Sequence, residues 1–440
     1  MQKIAFLCVI VMVLPPLSRP YSTSLLFQSE KSVNSALLAY KSEIVHLEFQ
    51  NNYQKNQNAN NIMNSVIYKT LKLPVWPVWA GTAAIVADVL HLPKLSEKIV
   101  DNLGGRVVPI SLKYEQMPIS TDNELSPFLL LAHHTHSFTP FDPFRAITKF
   151  LLPEGFPAHP HAGFDTVTYC ISGGLKHRDS EGFKMSYGDG DVQWMRAGKG
   201  VIHEEMWDLE GHDLKHKGIE LFQLWVNLPT ASKKNAPAVH LLRKEDMKIL
   251  RDQTNSLEVR VIAGEVSLSN QENDQVDSVR GAGNSIAASP IHILHVTLKR
   301  SDRVLSVSIP EDFDSVFVYI RRGSLLVRNV ESDSEEEVHS FDSVIYLPSK
   351  GRQNDVIDFP VRNSFELKSG VDGFDGLILI GKPLKERVLW RGPFVQSDEE
   401  SLYEAARTFE ELGNQAFWEH ELDDARWKQH CERLKLQSKM

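Results

Sequence analysis

The sequence predicts an all-β protein, a sandwich or barrel, framed by a polar N-terminal extension and a C-terminal helix. Three observations carry that prediction. From Val107 onward, short runs of β-branched and aromatic residues are separated by Gly, Pro and Asp turns. Helical spacing is scarce until Asp398. A hydrophobic fraction of 42% in 440 residues leaves room for two or three core-forming domains and excludes a chain that is disordered as a whole.

The elements follow in order. Lys3 precedes the apolar run Ile4 to Leu14, which Pro15 and Pro16 stop, so residues 1–18 read as a targeting segment. The run is too short to span a bilayer comfortably. It reads as a signal or signal-anchor sequence, or as an organelle presequence, and sends the chain to the secretory pathway or an organelle rather than to cytoplasm or nucleus. Membrane contact is expected only through this segment. Residues 19–104 form an extension of low order, helical or irregular, that includes the Asn- and Gln-rich stretch Gln50 to Asn64. Within it Leu73 to Leu92 is more apolar, either a small helix packed on the main body or a membrane-surface helix.

Expected strands are Phe164 to Ile171, Val192 to Met195, Phe222 to Leu228, Leu257 to Ile262, Ile291 to Leu298, Val316 to Ile320, Ser324 to Val327, Val344 to Leu347 and Gly376 to Ile380. The acidic run Asp333 to Glu337 is expected to be a solvated loop. Leu402, Ala405, Ala406, Phe409 and Leu412 then fall at helical spacing behind a cap at Ser397 or Asp398, in a helical pattern that runs to about Leu436 and should pack on a barrel.

Composition also narrows the chemistry. A net charge of −9 without a long basic run argues against direct nucleic-acid binding. Three cysteines, Cys8, Cys170 and Cys431, include no CxxC pair, so a disulfide framework or a thiolate zinc knuckle cannot be assembled. A metal site must use imidazole and carboxylate. His159-Pro160-His161 supplies two imidazoles two residues apart, which project from one face of an extended chain, and His203-Glu204-Glu205 repeats that geometry with His203 and Glu205. Two such pairs facing each other would present three neutral nitrogens and one carboxylate, a set that suits Fe(II), Mn, Ni, Cu or Zn. An octahedral ion held this way keeps two open positions.

The stretches GFPAHPHAGFDTVTYCISGG (Gly155 to Gly174), GDVQWMRAGKGVIHEEM (Gly190 to Met206) and LFQLWVNLP (Leu221 to Pro229) resemble the pirin family of the cupin superfamily. Matching pieces follow at VIAGE (Val261 to Glu265) and GKPLKERVLWRGPFVQSDEE (Gly381 to Glu400), so the resemblance covers about residues 105 to 400. It implies two tandem cupin barrels, or double-stranded β-helices: a metal-binding one over 105–235 and a metal-free one over 236–400, with a helical segment over 401–440. It also implies iron ligands at His159, His161, His203 and Glu205. Two positions depart from the family pattern: Ala162 stands where members often have a basic residue, and Asp165 where they have Glu. Asp165 is read as lying just behind the ligands.

Other candidates are weighed against plainer roles. His133, His134 and His136 could be a second metal site, but are expected to decorate a loop at the barrel mouth. His292 and His295, three apart, fall on opposite faces of a strand and cannot share an ion. His177, His212 and His216 are expected on the surface. Trp194, Met195, Phe164 and Tyr169 line the pocket or, the plainer reading, fill core. Three readings of function result. One is a dioxygenase acting on quercetin-like flavonols or other aromatic or enediol substrates that chelate through two oxygens, with Glu205 as ligand and base. Another is a non-catalytic, iron-dependent regulator that docks on a protein partner. A structural cupin with a vestigial site is the third and least supported, because the four-ligand set is intact.

Overall fold

The computed structural model describes residues 125–136, 154–208, 218–269, 276–301, 304–313, 316–329, 334–346 and 364–437, with short strands at 65–69, 105–108 and 119–120. The targeting segment 1–18, the Leu73 to Leu92 stretch, His212 and His216 lie outside them, as does the side chain of His136.

The first barrel is built from β2 (Gly105–Val108), β4 (Phe128–His136), β5 (Gly155–His161), β6 (Phe164–Ser172), β7 (Gly174–Asp179), β8 (Lys184–Gly188), β9 (Val192–Arg196), β10 (Val201–Trp207), β11 (Ile219–Asn227) and β12 (Ala238–Leu242). They form two antiparallel sheets, ordered β12-β9-β6-β11-β4-β2 and β5-β10-β7-β8. Thus Ala238–Leu242, C-terminal to residue 235, pairs with β9 and extends the first barrel's sheet.

The second barrel comprises β13 (Lys248–Arg251), β14 (Leu257–Ala263), β15 (Glu265–Ser269), β16 (Val276–Arg280), β17 (Ile291–Leu298), β18 (Val304–Ser308), β19 (Val316–Asn329), β20 (Ser334–His339), β21 (Asp342–Tyr346) and β22 (Ser364–Gly381). From the extension, β1 (Ser65–Lys69) adds to its edge at β21. β3 (Ile119–Ser120), β23 (Leu389–Arg391) and β24 (Phe394–Gln396) make a small separate sheet. The fold is therefore an all-β tandem cupin.

Alternation explains how the barrels share a core. On β17, Leu294, Val296 and Leu298 point into the second barrel, while Ile291 and Ile293 join the cluster between the barrels. β22 divides in the same way, with Ile378 and Ile380 inside and Leu377 and Leu379 at the junction. From the first barrel Val167, Tyr169, Trp194, Phe222 and Leu224 meet that junction. Trp194 and Tyr169 are thus inter-barrel core, and Met195 packs in a satellite cluster with Ala197 and Val201.

A charged chain also threads the junction. Arg321 donates to both oxygens of Glu220, at 2.6 and 2.8 Å, and to Asp375 at 2.8 Å. Asp375 in turn accepts from His295 and Thr297, and the other nitrogen of His295 meets the Tyr169 hydroxyl at 2.9 Å. His133 is part of this chain, bonded to Glu220 at 3.0 Å and to the Tyr319 hydroxyl at 2.9 Å. His133 and His134 are therefore buried members of β4, not loop decoration. The run FLLLAHHTH reads as a strand only once the histidines are given partners inside the protein.

The acidic run also departs from expectation. Ser334–His339 is β20, paired with β19. Val338 is buried, while Glu335 pairs outward with Lys368 at 2.9 Å, so charge here marks an edge strand rather than a loop. At the C-terminus, α1 (Glu399–Leu412) is capped by Asp398, whose side chain accepts from Ser401 N at 2.8 Å. Gly413, at φ 53°, ends it before α2 (Asp424–Gln437) begins. Both helices return to the first barrel. Leu402, Ala405 and Ala406 cover Ala162, and Trp427, Cys431 and Leu434 cover Ile202.

Candidate metal centre

β5 and β10 run antiparallel with His203 opposite His159. His161 follows two residues along β5, so all three imidazoles project to the same side. Their ligand nitrogens all lie within 4.8 Å of one another, which makes them the converging metal-binding group among the described residues. The ring centroids of His159 and His203 are 4.4 Å apart, and those of His161 and His203 5.0 Å.

The protonation states suit an ion. His159 Nδ1 donates to the Pro157 carbonyl at 2.7 Å, which directs its Nε2 lone pair inward. Both ring nitrogens of His161 and of His203 are buried without a hydrogen-bond partner. Burial lowers the pKa of all three, and the neighbouring His159 lowers those of His161 and His203 further. The Pro393 carbonyl, near His161 but outside hydrogen-bonding geometry, opposes the shift there only in part. Neutral imidazoles with unused lone pairs in a buried pocket match the donors a divalent transition metal takes.

Glu205 is fully buried on the same strand as His203, beyond a register shift that places it opposite Phe156. It is not a member of the three-histidine group. Its Oε1 accepts from the Tyr187 hydroxyl at 2.7 Å and from Thr168 at 3.1 Å, and its Oε2 accepts from Gln223 at 2.8 Å. Burial and the Glu205 carboxylate hold the Tyr187 phenol well above its ordinary pKa, so it stays a donor. Glu204 faces outward onto Arg178, as alternation requires.

His177 is not on the surface. It is completely buried, with its ring 5.5 Å from that of His203. Its Nε2 meets Asp179 Oδ2 at 3.1 Å, while Asp179 Oδ1 accepts from the backbone N–H groups of Glu181 and Phe183. The carboxylate thereby fixes the proton on Nε2, and the buried Nδ1 is without a partner. The signal was present in the sequence: His177-Arg178-Asp179 on β7 obeys the same two-residue rule as the ligand pairs.

Asp165 is a further correction. It faces away from the ligands and accepts from Trp194 Nε1 at 2.8 Å and from Arg196, which also reaches the Ile286 carbonyl in the second barrel. Phe164 does flank the centre, with its ring 5.0 Å from His161, and Trp225 packs on both. Gly163, at φ +88°, lets β24 close the base: a Cβ there would lie 1.7 Å from the Val395 carbonyl oxygen. Lys233, buried, ties this corner together through Gly163 O, Asn227 and Val395 O.

Behind the centre, Arg178 donates to the carbonyls of His420 and Leu422 and lies 5.5 Å from the Trp427 ring. The C-terminal segment thus braces the outer face of the ligand strands.

Known proteins place this geometry. The Pirin family model matches residues 111–226, and that of the Pirin C-terminal cupin domain matches residues 293–415. A pirin-like protein of Arabidopsis thaliana is 32% identical over 284 residues, covering 63% of this chain and 81% of its own length. A Pseudomonas aeruginosa protein that carries the provisional name quercetin 2,3-dioxygenase is 31% identical over 287 residues, covering 65% of this chain and 85% of its own. Among solved structures, a quercetin 2,3-dioxygenase from Acinetobacter baumannii superposes with a TM-score of 0.54 at 27% identity, over 71% of this chain and 92% of that one.

Proposed function

Because the chain belongs to the pirin family, we propose that it is an iron(II)-dependent cupin dioxygenase for quercetin-like flavonols or other enediols. The observation that carries this reading is the group of three converging imidazoles, of which His161 and His203 are buried with all four of their nitrogens unpartnered in the folded chain. Unsatisfied buried nitrogens are costly unless a ligand completes them. His159, His161 and His203 would hold the ion. Glu205 would be the fourth ligand, since three donors leave one lone pair on Oε2 for it.

When bound, the ion would polarise two chelating oxygens of a substrate. Glu205 would take the proton of an enol hydroxyl on the Oε1 lone pair that Thr168, its longest donor at 3.1 Å, would give up, with Tyr187 and Gln223 fixing its orientation. Phe164 and Trp225 offer aromatic surface beside His161. Gln193 and Thr166, buried on inward-facing positions with unpartnered side-chain atoms, are suited to meet a polar ligand inside the barrel.

The test is metal analysis of the purified protein, followed by oxygen uptake with quercetin normalised to bound iron. Uptake well above that of free iron is expected, together with its loss in Glu205→Gln. Iron bound without uptake on any flavonol or enediol would sink the dioxygenase reading in favour of an iron-dependent protein binder.

A further inference from the structure

A cavity of about 280 Å³ opens in the second barrel, between the turn after β14, the end of β16 and the start of β17. Its floor is constructed. Gly264, at φ +100°, lies against the ring of His292, and a Cβ there would come within 2.5 Å of the imidazole. The Asn284 side-chain oxygen holds the Gly264 N–H, and Gly281 N donates to the Gly264 carbonyl at 2.8 Å. Asn284 therefore keeps its amide donors for another partner.

Three kinds of surface meet in this recess. His292 is 5% exposed, its Nδ1 is buried without a partner, and Phe313 packs 5.1 Å away. Burial lowers its pKa to about 4, so the ring is neutral and offers one hydrogen bond without charge. Arg280 is exposed at the rim, and among the described residues no hydrogen bond or ion pair engages its guanidinium. Ala287, Pro290, Ile291 and Phe313 supply an apolar wall. A cation, a neutral imidazole and an apolar wall lining one cavity form the pattern of a small-molecule site.

We propose that this cavity binds a small organic monocarboxylate, with its carboxylate on Arg280, its apolar or aromatic body against Phe313 and Ile291, and a polar substituent on the His292 imidazole. A guanidinium is matched to a carboxylate by its paired donors. Glu265 stands opposite Arg280 in the β15–β16 ladder and is exposed outside the cavity lining. Its charge disfavours dianions, which is why a single carboxylate is specified. This site is independent of the metal centre and of the reaction proposed there.

The test is calorimetric titration of the full-length, iron-loaded chain with benzoate, the three hydroxybenzoate isomers and, as a neutral control, benzyl alcohol. One saturable site for benzoate is expected, with benzyl alcohol weaker and at least one hydroxybenzoate tighter. Arg280→Gln should weaken benzoate about tenfold or more, through loss of a charge-assisted contact. His292→Leu should abolish the advantage of the hydroxybenzoate; should that variant unfold, Arg280→Gln still decides, because its side chain is exposed. His161→Ala, which damages the metal centre, should leave benzoate binding intact. The proposal is overturned by absence of saturable binding at millimolar benzoate, by binding indifferent to Arg280→Gln, or by binding lost in His161→Ala.

Discussion

The two barrels share an architecture and differ in what fills them. The second is lined by a continuous aliphatic set that includes Val259, Val261, Leu294, Val296, Val316, Val318, Ile320, Val344, Ile378 and Ile380. In the first, the inward positions of β5, β6, β7, β9 and β10 carry His159, His161, Thr168, His177, Asp179, Gln193, His203 and Glu205, nearly all buried. Hydrocarbon inside a barrel gains free energy on burial, whereas imidazole nitrogens without partners lose it. One barrel is thus built as a support, and the other gives up stability to hold a site. The junction between them combines both strategies, an apolar cluster and the Arg321 charge chain.

The largest effect is expected where the barrels meet. Arg321 is 7% exposed and pairs with two carboxylates. Arg321→Met would leave the part-buried carboxylates of Glu220 and Asp375 without it, costing about 3–5 kcal/mol in urea denaturation. Adding Glu220→Gln should recover part of the loss. A change under about 1 kcal/mol, the range of surface pairs, would show that the barrels do not depend on this chain. Next is the support barrel itself: Ile378→Ala, at a fully buried position, should cost about 2–5 kcal/mol through lost contacts and a residual cavity.

The same kind of experiment in the first barrel should change sign. His203→Leu removes two buried unpartnered nitrogens and keeps an approximately matched apolar volume. In metal-free protein it should raise stability by about 1–3 kcal/mol, while the stoichiometry of bound metal falls. A metal-free His203→Leu protein that melts below the wild type would contradict the contrast between the barrels.

Much of this contrast is legible in the sequence because both barrels obey period-2 alternation. HxH and HxE announce inward polar pairs on β5 and β10, and the three-residue spacing of His292 and His295 correctly separates them to opposite faces of β17. Partners distant in sequence are what local patterns cannot show. His133 looks like part of a polar loop until Glu220 and Tyr319, 87 and 186 residues away, satisfy it inside the protein. Asp165 sits beside the ligand motif in sequence, but on the opposite face of its strand. His177 is legible by the same rule, because His177-Arg178-Asp179 sets two polar side chains on one face of β7 as HxH and HxE do on β5 and β10. The return of the C-terminal helices to the first barrel depends on Arg178 meeting carbonyls more than 240 residues away, at His420 and Leu422.

The smallest effect per group is a pH dependence near neutrality, to which the first barrel's site contributes three histidines while His292 in the second barrel and His430 in α2 contribute one each. His159, His161 and His203 are depressed below the ordinary histidine value of 6.5, primarily by burial. In the unfolded chain the same rings take up protons as pH falls through about 6.5, so the unfolded state binds more protons and stability declines with acidification. Between pH 7.5 and 6 this amounts to at most about 0.8 kcal/mol per histidine. The junction carboxylates behave differently. Glu220 is held down at about 2, against an ordinary 4.5, by Arg321 and His133, which overcome the opposing effect of its burial. Its contribution is therefore complete above about 4.5 and is lost only between there and about 2. Denaturation of the metal-free protein at pH 7.5, 7.0, 6.5 and 6.0 should accordingly give a slope that His203→Leu makes shallower. Ile378→Ala should give the wild-type slope displaced downward in parallel, because it removes volume and no proton. Were Ile378→Ala to flatten the slope as much as His203→Leu does, the pH dependence would belong to global unfolding rather than to the histidines of the metal centre.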